Sequence, residues 1–237
     1  MTNEPNIDLH PVADESSAVD QVPVIDIAAL HSNDVSTETE RAIEQIADAC
    51  RNWGFFQVVN HGIETETIEN LWRHTAGFFK LPLPLKMQII RGADNPWGFY
   101  NNELTKNQRD KKEVFDYTSE GVDPLYGGEN QWPSDLPEFR KVMLDWLHTC
   151  TRLSLSLLQG MCRGLGLPGR TLHAHFEHNH TGFVRLNHYP VDDPMHGSGI
   201  AHQEIADLGV HHHTDAGVLT VLLQDQVGGL QVYRNGF

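Results

Sequence analysis

The chain has 237 residues, with 17 Lys and Arg against 32 Asp and Glu and a formal net charge of -15. That length buries a sizeable core and fits one large domain, or a domain with an N-terminal extension. So acidic a surface repels nucleic acid and anionic membranes, which excludes both as expected partners, and the longest apolar runs, such as residues 53–59, are too short to span a bilayer.

Residues 1–21 are polar and acidic, without the basic and apolar regions of a signal peptide, and read as a leader without chemistry. Order is expected from Val22-Pro23-Val24-Ile25-Asp26-Ile27, a short β-branched strand. A helix begins at Ser36-Thr37-Glu38, with Ile43, Ile46, Ala47 and Cys50 on one stripe, and stops at Trp53-Gly54. A second strand over 55–59 leads into the turn Asn60-His61-Gly62, which makes His61 a turn histidine rather than a ligand. Residues 64–79 form a second helix, whose stripe of Ile68, Leu71, Trp72, Thr75, Phe78 and Phe79 is core; Pro82 and Pro84 end it.

Residues 92–102 read as a loop carrying Trp97, Phe99 and Tyr100. Two readings stand for these aromatics, a substrate-pocket wall and packing onto the rest of the fold. A strand over 111–117 follows, then a long helix over 137–163 with Met143, Trp146, Leu147, Cys150, Ser154, Leu157, Leu158 and Met161 inward. A short helix runs through 168–176, where His175 and His178 read as a solvated face rather than a metal site. The three cysteines are odd in number and lack CxxC spacing, which predicts ordinary thiols and a reducing, cytoplasmic setting.

Residues 182–190, GFVRLNHYP, alternate as a strand does. Phe183, Arg185, Asn187 and Tyr189 share one face; Val184, Leu186 and His188 share the other. The polar face suits either a pocket wall or the wet side of an edge strand. A Gly-, Pro-, His- and Asp-rich loop over 192–208 is a candidate lid or rim. Residues 210–224 then read as strand, break at Ala216-Gly217, and strand. Within them His213 and Asp215 lie two apart, so on a strand both point to one side. An imidazole nitrogen and a carboxylate meeting there supply two-thirds of a 2-His-1-carboxylate triad for Fe(II). The competing reading is a His-rich surface strand ending in an acidic turn.

HTDAGVLTVLLQD followed by GGLQV resembles the metal-site segment of the isopenicillin-N-synthase-like family of 2-oxoglutarate- and Fe(II)-dependent oxygenases; WGFFQVVNHGI and GFVRLNHYP resemble two further signatures of that family. The resemblance implies an α+β fold with a double-stranded β-helix (jelly-roll, cupin-like) core and N-terminal helices packed outside. It divides the chain into a leader at 1–21, a helix-rich region at 22–180 and the jelly-roll region at 181–237. It selects His213, rather than His211 or His212, as metal ligand together with Asp215. It gives Asn187 and Tyr189 the holding of 2-oxoglutarate, with His188 standing where the family has a first Tyr. The implied function is a monomeric dioxygenase with Fe(II), 2-oxoglutarate and O2, oxidising or hydroxylating a small organic substrate and giving succinate and CO2.

After Gly228-Gly229, Leu230 to Tyr233 read as a strand and Asn235-Gly236 as a hairpin turn one residue before the last. The resemblance therefore implies a jelly-roll incomplete at its C-terminal end, since the family's distal His and Arg-x-Ser motif are not in this sequence. Two alternatives remain beside the dioxygenase: an Fe(II) and O2 oxidase that does not use 2-oxoglutarate, and a non-catalytic binding protein.

Overall fold

The computed structural model describes residues 21–31, 36–105, 108–121, 127–176, 182–192, 209–210 and 212–233. Strand β1 (Val24–Asp26) runs parallel to β2 (Gln57–Val59), with Ile25 opposite Val58. Between them lies helix α1 (Thr37–Asn52), capped by the Ser36 hydroxyl, which accepts the Thr39 amide as a helix N-terminus requires. Its buried stripe runs through Thr39, Ala42, Ile43, Ile46 and Ala49. Cys50, expected on that stripe, is exposed, because the stripe continues one residue earlier at Ala49.

Helix α2 (Thr65–Phe79) is followed by a short helix α3 (Leu83–Lys86) that begins with a proline in its first turn. The prolines thus start a new helical segment as well as ending the old one. Strand β3 (Gly98–Tyr100) is a correction: residues 92–102 read as loop, yet β3 is an edge of the main sheet. A small hairpin, β4 (Leu104–Thr105) with β5 (Gln108–Arg109), precedes β6 (Glu113–Thr118). Helix α4 (Phe139–Gly164), short helix α5 (His173–Phe176) and β7 (Phe183–His188) complete the described elements. The main sheet is antiparallel in the order β3-β6-β7, with Phe99 opposite Phe115 and Leu186 opposite Phe115 on the other flank.

Two apolar clusters form the core, and α4 contributes to both. The first gathers Phe78, Phe79, Phe99, Phe115, Tyr117, Phe139, Met143 and Trp146 between α2, α4 and one face of the sheet. Phe78 is fully buried at its centre, 4.8 Å from Phe115, 5.2 Å from Phe139 and 5.1 Å from Phe79 between ring centroids. The second joins Ile25 and Ile27 to Ile46, Ala49, Leu153 and Leu157.

Among the described residues, the strands expected over 210–224 and 230–233 are not formed. The described part, residues 212–233, is irregular, with no ladder partner among the described residues. An apolar run becomes a strand only when a neighbour takes up its backbone donors and acceptors. The segment keeps one trace of its alternation: Leu219 and Val221 tuck against the second cluster, while Val218 and Leu222 are exposed.

Emptying the centre of the first cluster should be costly. Phe78→Ala is expected to lower the unfolding free energy by about 3–5 kcal/mol, read from urea denaturation of the variant beside the parent.

Candidate functional site

The strand β6 is buried on both faces. Phe115 and Tyr117 meet the helices; Asp116, between them, faces the other way with Arg185 of β7 opposite it in register. Pleating therefore gives the sheet an apolar face and a charged one. On the charged face the Asp116 carboxylate takes Arg185 side-on, Nε to Oδ1 at 2.7 Å and Nη2 to Oδ2 at 2.8 Å. Arg91, arriving from the segment before β3, reaches the same carboxylate at 2.5 Å and lies over the Tyr100 ring at 4.3 Å.

Glu103 closes the cluster. Its oxygens meet Arg91 at 2.5 Å, Lys112 at 2.9 Å and Arg185 at 3.0 Å. The β4-β5 hairpin brings Asp110 beside it, through the Asp110 amide on the Glu103 carbonyl at 2.9 Å. Lys112 then bridges to Asp110 at 3.0 Å. Burial alone would raise the Glu103 carboxyl, but Arg185, Lys112 and Arg91 outweigh it and hold the group at about 2 against an ordinary 4.5. Three cations and three carboxylates thus neutralise one another on one sheet face.

Sequence reasoning placed Arg185 on this face without a role and missed Arg91, Glu103, Asp110, Lys112 and Asp116. One signal was available: Asp116 interrupts the run Val114-Phe115-Asp116-Tyr117, and a carboxylate in so apolar a strand requires a cation.

Asn187, two residues beyond Arg185 and opposite Val114, is exposed at the end of β7. Tyr189 lies just past the strand, and burial raises its hydroxyl's pKa. His188, on the opposite face, stacks on Phe79 at 5.0 Å and meets Glu113 at 3.1 Å. Glu113 in turn receives the buried Lys86 at 2.6 Å. Of the loop aromatics, Trp97 and Phe99 are buried, and Tyr100 lies under Arg91 of the charged face.

His213 and Asp215 are brought together. Nε2 of the imidazole lies 3.4 Å from Oδ1 of the carboxylate, with both side chains about half exposed. Bonds from a metal to imidazole nitrogen and carboxylate oxygen run at about 2.0–2.2 Å, so donors at this separation can share one ion. Among the described residues no group of three or more His, Cys, Asp or Glu could hold a metal. His211 and His178 lie outside the described residues.

Comparison with known proteins gives this geometry its setting. Residues 22–135 match the family described as the non-haem dioxygenase in morphine synthesis N-terminal region, and residues 180–237 match the 2OG-Fe(II) oxygenase superfamily. A probable iron/ascorbate oxidoreductase of Dictyostelium discoideum is 31% identical over 94% of this chain and 69% of its own length. The chain belongs to the 2-oxoglutarate/Fe(II) oxygenase family.

Other members of the family are as similar. Naringenin,2-oxoglutarate 3-dioxygenase of Arabidopsis thaliana is 31% identical over 91% of this chain, and 1-aminocyclopropane-1-carboxylate oxidase of Dictyostelium mucoroides is 31% identical over 90%. The chain covers 57% and 66% of those two relatives. A full-length Neurospora crassa protein, solved in complex with alpha-KG and 5-formyluracil, superposes with a TM-score of 0.62 at 23% identity, covering 71% of this chain and 52% of that one. JOX2 in complex with 2OG, Fe and JA superposes at 0.58 with 26% identity, over 71% of this chain and 48% of that one. Over the matched parts, this chain shares the fold of these neighbours.

The charged face gives a pH test. A carboxyl depressed in the folded state stabilises it fully above its ordinary value, and that stability fades as pH falls toward the folded value. Glu103→Gln should therefore be less stable than the parent at neutral pH. The gap should close as pH falls from 4.5 toward about 2, followed by urea midpoints at each pH.

Proposed function

We propose that this protein acts as a 2-oxoglutarate- and Fe(II)-dependent dioxygenase on a small organic substrate, with the iron held at His213 and Asp215. The 3.4 Å approach of the imidazole nitrogen to the carboxylate oxygen carries this reading. It turns a two-residue spacing into a pair of donors able to meet one cation. Within the family, Fe(II) with 2-oxoglutarate and O2 supplies the oxidising chemistry, releasing succinate and CO2.

The chain's own residues ligate, orient and position. His213 offers a neutral nitrogen, and Asp215 adds a negative charge that lowers the net charge of the bound cation. The side-chain amide of Asn187 and the hydroxyl of Tyr189 donate hydrogen bonds to the oxygens of 2-oxoglutarate. Arg185, clamped by Asp116 and Glu103, keeps β7 in register so that both donors stay on the same face. Tyr100 and the ion cluster border the substrate. The double-stranded β-helix belongs to the same proposal, with β3-β6-β7 as one wall of it. A cytoplasmic location and a monomeric state are the expected setting.

A second reading keeps the iron and omits 2-oxoglutarate. It is favoured by the likeness to a protein named as an oxidase, 1-aminocyclopropane-1-carboxylate oxidase. The two differ in whether 2-oxoglutarate is consumed.

Succinate release from 2-oxoglutarate by the protein carrying this chain is the measurement. Asp215→Ala and His213→Ala should each bring it below detection, since alanine replaces neither donor. His211→Ala should retain most of it. Equal losses at His211 and His213 would show the wrong histidine had been chosen, and full activity in Asp215→Ala would remove the metal assignment. O2 uptake without succinate would favour the second reading.

A further inference from the structure

The wall proposed for 2-oxoglutarate and the segment proposed for the metal meet at one contact. Tyr189 directly follows β7, and Gly209 lies four residues before His213. A Cβ added to Gly209 would stand 2.5 Å from Cδ1, 2.9 Å from Cε1 and 3.5 Å from Cγ of the Tyr189 ring. Two carbons in ordinary contact lie about 3.5–4.0 Å apart. The backbone of Gly209 is not among the positive-φ glycines. Conformation does not demand glycine here; the ring does.

Tyr189 also lies within electrostatic reach of the charged face. The charges of Lys112, Asp110, Arg185 and Glu103 all act on its hydroxyl. Those four groups are joined to one another by ion pairs at 2.9–3.0 Å. Tyr189 as a residue is half exposed, at 51%. A methyl group at Gly209 would therefore have to displace the ring, and its hydroxyl with it.

We infer that Gly209 is a positioning residue: its missing side chain lets its own backbone, four residues before His213, lie against the Tyr189 ring, and this contact sets the metal segment relative to the 2-oxoglutarate wall. The inference rests on the proposed role of Tyr189. A methyl group at Gly209 acts through the ring, so its effect requires the ring to be present. A structural defect unrelated to Tyr189 has no such requirement.

The test is a double-mutant cycle of Gly209→Ala, Tyr189→Ala and the combined variant in the protein carrying this chain. Two readouts are taken: the dissociation constant of 2-oxoglutarate by calorimetry, with Mn(II) as a redox-quiet stand-in for Fe(II), and the thermal midpoint without ligand. Overpacking of this size should weaken 2-oxoglutarate binding about tenfold in Gly209→Ala. In the Tyr189→Ala background the same methyl should change the constant less than about twofold, because the term that couples contacting residues is gone. The midpoints should be non-additive in the same sense. Parent-like affinity in Gly209→Ala, or an equal penalty in both backgrounds, overturns the inference. Unchanged affinity in Tyr189→Ala overturns the assigned role of Tyr189, whereas additive midpoints overturn the contact, so the two failures are read separately. If Gly209→Ala does not fold, recovery of folding in the double variant supports the contact, and failure of the double variant as well overturns it.

Discussion

One carboxylate in the middle strand organises the charged face of the sheet. Asp116 is 2% exposed, and an ionised group so placed is tolerated only when paired and fully hydrogen-bonded. It is satisfied by two arginines from opposite flanks, Arg185 on β7 and Arg91 before β3. Each arginine then carries a second obligation to Glu103. The sheet order β3-β6-β7 is thus held on one face by aromatic packing and on the other by a charge lattice in which no member can be removed alone. Replacing either Asp116 or Glu103 leaves two guanidinium groups short of partners.

That lattice bears on how an acidic co-substrate is held. The chain is strongly acidic, and the three cations of the charged face are already engaged by carboxylates. They fix the strand without offering free positive charge. The neighbouring Asn187 and Tyr189 are neutral donors, suited to orienting oxygens rather than to attracting them from a distance. On the proposed reading, affinity for 2-oxoglutarate depends on the bound cation, and these two residues supply direction.

The sequence reading found α1, α2, α4, β6 and β7 because each has a long period of apolar residues or clean alternation. It missed β3, a three-residue strand behind Gly92, Asn95 and Pro96, whose Gly98 holds a φ of +123° and approaches the Ile89 carbonyl too closely for any Cβ. Such a strand has only its partner, β6, to identify it. The strands drawn through 210–224 erred the other way: alternation and apolar content were there, the ladder was not. At the site, the approach of His213 to Asp215 was legible because residues two apart are close in sequence, and it occurs without the strand that was drawn there. The ion cluster was legible at Asp116 alone, since its other members are scattered from Arg91 to Arg185 and nothing local distinguishes an ordinary lysine from one bridging two carboxylates. Family resemblance added roles, and it assigned none to Gly209, whose importance shows only as a distance to a ring.

Helix α4 runs for 26 residues, roughly 39 Å at 1.5 Å per residue. Its first half, with Phe139, Met143 and Trp146, fills one cluster, and its second half, with Leu153 and Leu157, fills the other. Neither cluster can melt without exposing part of this helix. The β1-β2 layer and the main sheet share no strand among the described residues, so α4 is the common beam: an opening that strips packing from one half of it loosens the helix that lines the other cluster.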